Sequence, residues 1–201
     1  MINHKNKFLY THYPKCGGTT IRSYFLSNYA EGIDEEIELV KNRHCSLSNT
    51  IQRLIDLDQD PTKYFKFSFT RNPFALCLSY YLYNKTNAYE SLKSRGLPLR
   101  AEITFCLNNS FKEYIKSEYC FSYFDKIYIH DNVFSIDFVI RQENLEKDFL
   151  KLCKMLKLKE VQLEKLNQTN HTHYRDYYDS ESIKIVEEKF EKDLNHFKYK
   201  F

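Results

Sequence analysis

"HYPKCGGTTI", residues 12–21, decides how the rest of the chain is read. The apolar run Phe8-Leu9-Tyr10 precedes it, so Phe8 to Tyr13 reads as a first strand. A helix is predicted from Thr19 to Asn28. Adjacent glycines at a strand-to-helix junction let the backbone wrap closely round an anion. Thr19 and Thr20 fall where the first free N–H groups of the helix favour phosphate. Lys15 approaches from the strand side as a mobile point charge. It comes before the glycines, whereas an ATP-binding P-loop places its lysine after them. An ordinary tight turn capped by threonine is the bland alternative for this stretch alone.

A second junction has the same form. "YFKFSFT", residues 64–70, alternates Phe65, Phe67 and Phe69 with polar residues at strand period, and "RNPFALCLSYY" follows. Asn72 is placed to cap a helix and Pro73 to occupy its first position. Arg71 therefore stands at the carboxyl end of a strand, with Ser79 eight positions on inside the helix. A guanidinium and a hydroxyl so placed can grip a second phosphate. Equally, Arg71 could pair with a surface carboxylate while Ser79 merely packs. Both junctions occurring in one chain is much less expected by chance than either one.

Outward from these two loops, the helical spacing of Leu47, Ile51, Leu54 and Ile55 predicts a helix, reached through an acidic connection over residues 30–46 that carries His44. "KIYIHD" and "IDFVIRQ" read as two further strands. A helix opening at Glu143 buries Leu145, Phe149, Leu152 and Leu156 and turns Lys151, Lys154, Lys157 and Lys159 to solvent. A last helix runs from about Ser180 to Leu194, with Ile183, Val186, Phe190 and Leu194 as its stripe. Residues 84–123 are the least legible stretch. Strands alternating with helices predict an α/β chain with a mostly parallel central sheet flanked by helices. No repeat or linker breaks its 201 residues, which suit a single domain, 1–201.

Charged residues make up 28% and the apolar set 42%, the composition of a folded globular chain. A net charge of +3 is too mild to indicate nucleic-acid binding, though it leaves room for a local basic pocket. No apolar stretch reaches signal-peptide or transmembrane length, so no membrane insertion is expected and the default expectation is a cytoplasmic protein. Six scattered cysteines without a CxxC pair read as reduced and mostly structural. His171 and His173, two apart and without further ligands, are weak grounds for a metal site, and none is expected.

"YPKCGGTTI" and "FTRNPFALCLSYY" resemble the 5′-phosphosulfate loop and the 3′-phosphate motif of the sulfotransferases that use 3′-phosphoadenosine 5′-phosphosulfate (PAPS), in particular the carbohydrate branch. The similarity continues through "RQENLEKDFLKLCKMLKL" and the closing "LNQTNHTHYRDYYDSESIKIVEEKFEKDLNHFKYKF", and is weakest over residues 84–123, which read as an acceptor-side insertion. The resemblance implies a P-loop-like nucleotide fold and transfer of a sulfuryl group to a hydroxyl of a small-molecule or glycan acceptor. The products would be the sulfated acceptor and adenosine 3′,5′-bisphosphate (PAP), and no metal is required. It implies that Lys15 sits beside the bridging oxygen, with Cys16, Gly17, Gly18, Thr19 and Thr20 round the 5′ group. Cys16 stands where many members carry threonine, but the backbone still supplies the N–H groups. Arg71 and Ser79 would hold the 3′-phosphate. His44 is implied as the base that deprotonates the acceptor; its spacing alone does not show this. Glu31, Glu35 and Glu36 are reserves. A closing loop would bring Thr169, His171 and Arg175 to the 3′-phosphate or the acceptor, while Tyr177 and Tyr178 read as packing residues, though an aromatic could stack on adenine. Glu143 could cap a helix or touch ligand. The rival readings are a small ATP-dependent kinase and a nucleotide-binding module that has lost catalysis.

Overall fold

The computed structural model describes residues 1–34, 45–163 and 172–201. The chain divides into two compact units, one comprising Met1–Arg71 and Tyr123–Leu166, the other Asn72–Ser122 and Asn167–Phe201.

The first unit is built on a five-stranded sheet. Its strands are β1 (Ile2–Asn3), β2 (Phe8–Tyr10), β3 (Ile33–Asp34), β4 (Phe65–Thr70) and β7 (Phe138–Arg141), in the spatial order β3-β1-β2-β4-β7. The three longer strands, β2, β4 and β7, are parallel, and the two-residue β1 and β3 add an antiparallel edge. Tyr10 stands opposite Phe67, and Phe69 opposite Ile140, so Phe8, Tyr10, Phe67, Phe69 and Ile140 share one face, all fully buried. Against that face lies α1 (Gly18–Asn28): the Phe25 ring is 4.6 Å from Phe8 and 6.0 Å from Phe67. Tyr24 of α1 meets Phe149 of α8 (Leu145–Leu156) edge to face at 4.8 Å.

The opposite face carries hydroxyls. Ser68 Oγ donates to the Thr11 carbonyl, and Thr11 Oγ1 donates to the carbonyl of Ile127 in α7 (Phe124–Tyr128). That helix packs on α2 (Leu47–Asp56), whose N-terminus is capped by Ser46 Oγ accepting from Asn49 N at 3.1 Å. Helices thus flank the sheet on both faces. A hairpin of β5 (Ile129–His130) and β6 (Val133–Phe134) turns through Asp131 and Asn132, both at positive φ, as a type I′ turn requires.

The second unit is helical. It holds α3 (Pro73–Tyr83), a π-helical turn over Asn84–Ala88, α4 (Tyr89–Ser94), α5 (Ala101–Asn108), α6 (Phe111–Lys116), α9 (Ser180–Lys189) and α10 (Glu191–Phe197). Ser110 and Glu113 form a reciprocal capping box at α6, and Asp179 Oδ1 caps α9 by accepting from Ser182 N at 2.8 Å. The least legible stretch, 84–123, is therefore mostly helix, and all of it but Tyr123 belongs to this unit.

Tyrosine hydroxyls tie main chain to main chain in both units. Tyr24 donates to the Lys159 carbonyl, Tyr128 to Phe69, Tyr81 to Asn109 and Tyr178 to Phe74, at 2.5–2.8 Å.

Three sequence expectations need correction. The first strand ends at Tyr10 rather than Tyr13, because the chain beyond Thr11 turns into the loop. "KIYIHD" is not one strand: Phe124, Ile127 and Tyr128 are buried at helical spacing, and only Ile129–His130 pairs as β. The last helix is two, broken at Phe190, whose buried ring holds the kink.

Candidate active site

Parallel neighbours β2 and β4 end at the same edge of the sheet, so the loops that follow them meet. In the first, Lys15 has φ +62° and Gly17 φ +88°. The left-handed region is open to glycine and costly for a side chain, and this geometry explains Gly17. Leu145 packs over it: a Cβ there would lie 3.2 Å from both Leu145 methyls. Cys16 is fully buried, Thr20 nearly so, and Thr19 is exposed. Gly17 is also the cap residue of α1 and has no side chain to spend on the first amides of the helix.

Gly18 needs another explanation, because its φ is not left-handed. It is the first residue of α1, and a Cβ there would fall 2.6 Å from His12 Cδ2 and 2.7 Å from His12 Nε2. The half-buried imidazole occupies the room a side chain would take. The sequence reading missed His12. It lies two residues beyond the end of β2, and its ring packs against Gly18 of α1.

Arg71 leaves the end of β4 and donates from Nη1 to the Lys15 carbonyl at 3.1 Å. Two cations are thereby held side by side. Burial first, and the Arg71 guanidinium second, bring the Lys15 ammonium down to about 8, with a smaller opposing effect from Cys16. Such a pair gains from an anion placed over it, as does the N-terminus of α1.

The structure therefore brings Lys15, Cys16, Gly17, Gly18, Thr19, Thr20 and Arg71 together within the first unit. Ser79 and Arg175 lie in the second. Ser79 is buried in α3, and Arg175 belongs to a 3₁₀ turn, Tyr174–Tyr177, that packs against that helix. Arg175 is exposed, its guanidinium over the Tyr174 and Phe201 rings at 5.7 and 5.6 Å. His173 Nδ1 accepts from Arg175 N at 3.4 Å, a capping task that accounts for the residue. Tyr178 packs between Phe74, Phe111 and Phe201, whereas Tyr177 is more exposed and meets Phe111 edge-on. Glu143 is exposed. Glu31 is paired with Lys5 at the amino end of β2, the far end of the sheet from Lys15, which removes it from the site. His44, Glu35, Glu36, Thr169 and His171 lie outside the described residues. Among the described residues no group of three or more His, Cys, Asp or Glu side chains could hold a metal ion, and no helix is long and apolar enough to cross a membrane.

A parallel α/β sheet with a glycine-built loop and two cations, Lys15 and Arg71, at its carboxyl edge has the form in which such sheets receive their ligands. The model of the sulfotransferase family matches residues 1–200, and the chain belongs to that family. It is therefore a transferase of sulfuryl groups, and this family generally draws them from PAPS. Neither a curated protein nor a solved structure gives a significant match.

Proposed function

We propose that this chain transfers the sulfuryl group of PAPS to a hydroxyl of a carbohydrate acceptor, releasing PAP. The observation that carries the donor assignment is the uncapped start of α1 beside the Lys15–Arg71 pair. Backbone amides at Gly18 and Thr19 supply directed donors. Lys15 supplies the charge that meets negative charge developing on the departing bridging oxygen. Sulfuryl transfer, like phosphoryl transfer, needs alignment and charge stabilisation more than covalent catalysis. Arg71 holds the 3′-phosphate with Ser79; its planar fork of five N–H donors lets it grip the Lys15 carbonyl as well. Arg175 is assigned to the same phosphate or to the acceptor, and Thr169 with it. His44 takes the acceptor proton. Residues 84–123 form the acceptor side of one catalytic domain. The carbohydrate assignment rests on the motif resemblance alone.

Thermal unfolding with PAP and with ATP tests the donor. A large rise in Tm with PAP and little with ATP is expected; the reverse would make the chain a kinase. Labelled PAPS presented with a glycan panel tests the acceptor. PAP binding with no transfer to any hydroxyl would reduce the chain to a nucleotide-binding module. In the active protein, His44→Ala should abolish transfer and leave PAP binding intact.

A further inference from the structure

We infer that Cys77 and Cys120 are a disulfide-forming pair, whose oxidation cross-links α3 to the chain that follows α6. The two sulfurs are 3.5 Å apart in a thiol–thiol contact, and both side chains are buried within the second unit. All six cysteines are free thiols. Cys16, Cys45 and Cys153 belong to the first unit, and Cys106 Sγ is engaged by Asn84 Nδ2 at 3.9 Å. A disulfide needs about 2.05 Å between sulfurs, so the pair must close by about 1.5 Å, within the reach of side-chain rotation and a small backbone shift. The slack lies on one side: Cys77 is fixed inside α3, whereas Cys120 stands in irregular chain. The start of that connection is held by Lys189 of α9, whose ammonium donates to the carbonyls of Ile115 and Ser117 at 2.8 and 2.6 Å. Its end is held by Ser122 Oγ, which donates to Asp193 of α10 at 2.5 Å. A link at Cys120 adds an anchor between these two, and this one reaches α3. It joins positions 43 residues apart, a loop long enough for the cross-link to restrict the unfolded chain strongly. With glutathione disulfide as the oxidant, the Cys120 thiolate attacks one glutathione sulfur and expels a glutathione thiolate. The Cys77 sulfur then attacks Cys120 Sγ and breaks the mixed disulfide, and the second glutathione leaves as a thiol with the Cys77 proton. Two electrons pass from the thiol pair to glutathione. Burial foremost, and then the Cys120 thiol, hold the Cys77 thiol well above the ordinary cysteine range, so Cys120 meets the oxidant first. It does so when the connection, whose Phe121 is already exposed, opens locally.

The test incubates the folded chain in a glutathione redox buffer near the ordinary thiol pKa, at about pH 8.5. Remaining thiols are then blocked with N-ethylmaleimide in denaturant, and linked peptides are mapped by mass spectrometry. Free thiols should fall from six to four, with Cys77 joined to Cys120 in the same chain. The oxidised chain should melt roughly 4–16 °C higher than the reduced one, and dithiothreitol should reverse the rise. Cys77→Ser should lose both the link and the rise, and Cys106→Ser should keep both. If Cys77→Ser does not fold, the map of the wild-type chain decides alone. Any other pairing, a glutathione adduct persisting at Cys120, six thiols left unreacted, or an oxidised chain that melts lower would overturn the inference. None of these outcomes bears on the donor assignment.

Discussion

Two junctions of the same outline begin the helices α1 and α3, and they treat their first amides in opposite ways. At α1 the cap is Gly17 in the left-handed region, with no side chain to offer. At α3 the cap is Asn72, whose Oδ1 accepts from Phe74 N at 3.1 Å, and Pro73 follows with no N–H to satisfy. The first helix therefore leaves its first amides without a side-chain cap, while the second engages its own internally. An anion can be held by main chain at the first loop. At the second the first amides are already engaged, so the proposed 3′-phosphate contact there falls to side chains. The contrast explains why one motif is rich in glycine and the other has none.

The largest expected effect belongs to the first loop. Lys15→Ala should lower kcat about 10²- to 10³-fold, the cost of removing one donor from developing charge, and should weaken donor binding by a smaller factor, about tenfold. A loss confined to KM would show that Lys15 only binds. Arg71→Ala should weaken PAP about ten- to a hundredfold and leave adenosine 5′-phosphosulfate, which lacks the 3′-phosphate, unaffected. Equal weakening of both ligands would mean that Arg71 acts only through the Lys15 carbonyl, and the division between the loops would dissolve.

The pH response comes next. Lys15 titrates at about 8 in the folded chain against an ordinary 10.5, so folding expels its proton between those values. Its contribution handicaps the fold below pH 8, and the handicap fades as pH rises towards 10.5. A bound anion restores the ammonium, so binding takes up a proton above pH 8. PAP affinity should be roughly eightfold weaker at pH 9 than at pH 7.5, and Lys15→Arg should flatten that slope. The smallest effects concern stability. Gly17→Ala forces a side chain into the left-handed region and should cost about 1–2 kcal/mol. Asn72→Ala removes a cap worth about 1 kcal/mol, lowering Tm by about 2–4 °C, and should leave PAP affinity unchanged. If Asn72→Ala weakened PAP as much as Gly17→Ala did, the proposed asymmetry of the two helix starts would be wrong.

Those parts of the molecule governed by local chemistry were legible. Phe65, Phe67 and Phe69 announce β4 by alternation, and Asn72-Pro73 announces the start of α3. The glycine pair and Lys15 mark the first loop. "KIYIHD" misleads because Ile127 and Ile129 mimic strand alternation, while Phe124, the residue that completes a helical face with Ile127 and Tyr128, lies outside the window. The break at Phe190 has no glycine or proline to signal it; a buried aromatic fixes it through tertiary packing. In the site, the bond from Arg71 to the Lys15 carbonyl depends on β2 and β4 being neighbours, a long-range pairing that neither motif encodes. His12 was hidden for the same reason: only once α1 folds back over β2 does its ring meet Gly18.

The tyrosine-to-carbonyl ties carry a consequence for alkaline conditions. The chain has 17 tyrosines and no tryptophan, so its near-ultraviolet absorbance belongs mainly to phenols. Tyr24 and Tyr178 each give their proton to a main-chain oxygen, and burial foremost pushes both well above the ordinary tyrosine range. Once unfolded, they would ionise near pH 10 like any free phenol. The folded form therefore loses ground as the solution becomes more basic than that. Phenolate absorbance should grow in two stages, first from rings open to water, then in a steep step as these latches let go and the architecture fails.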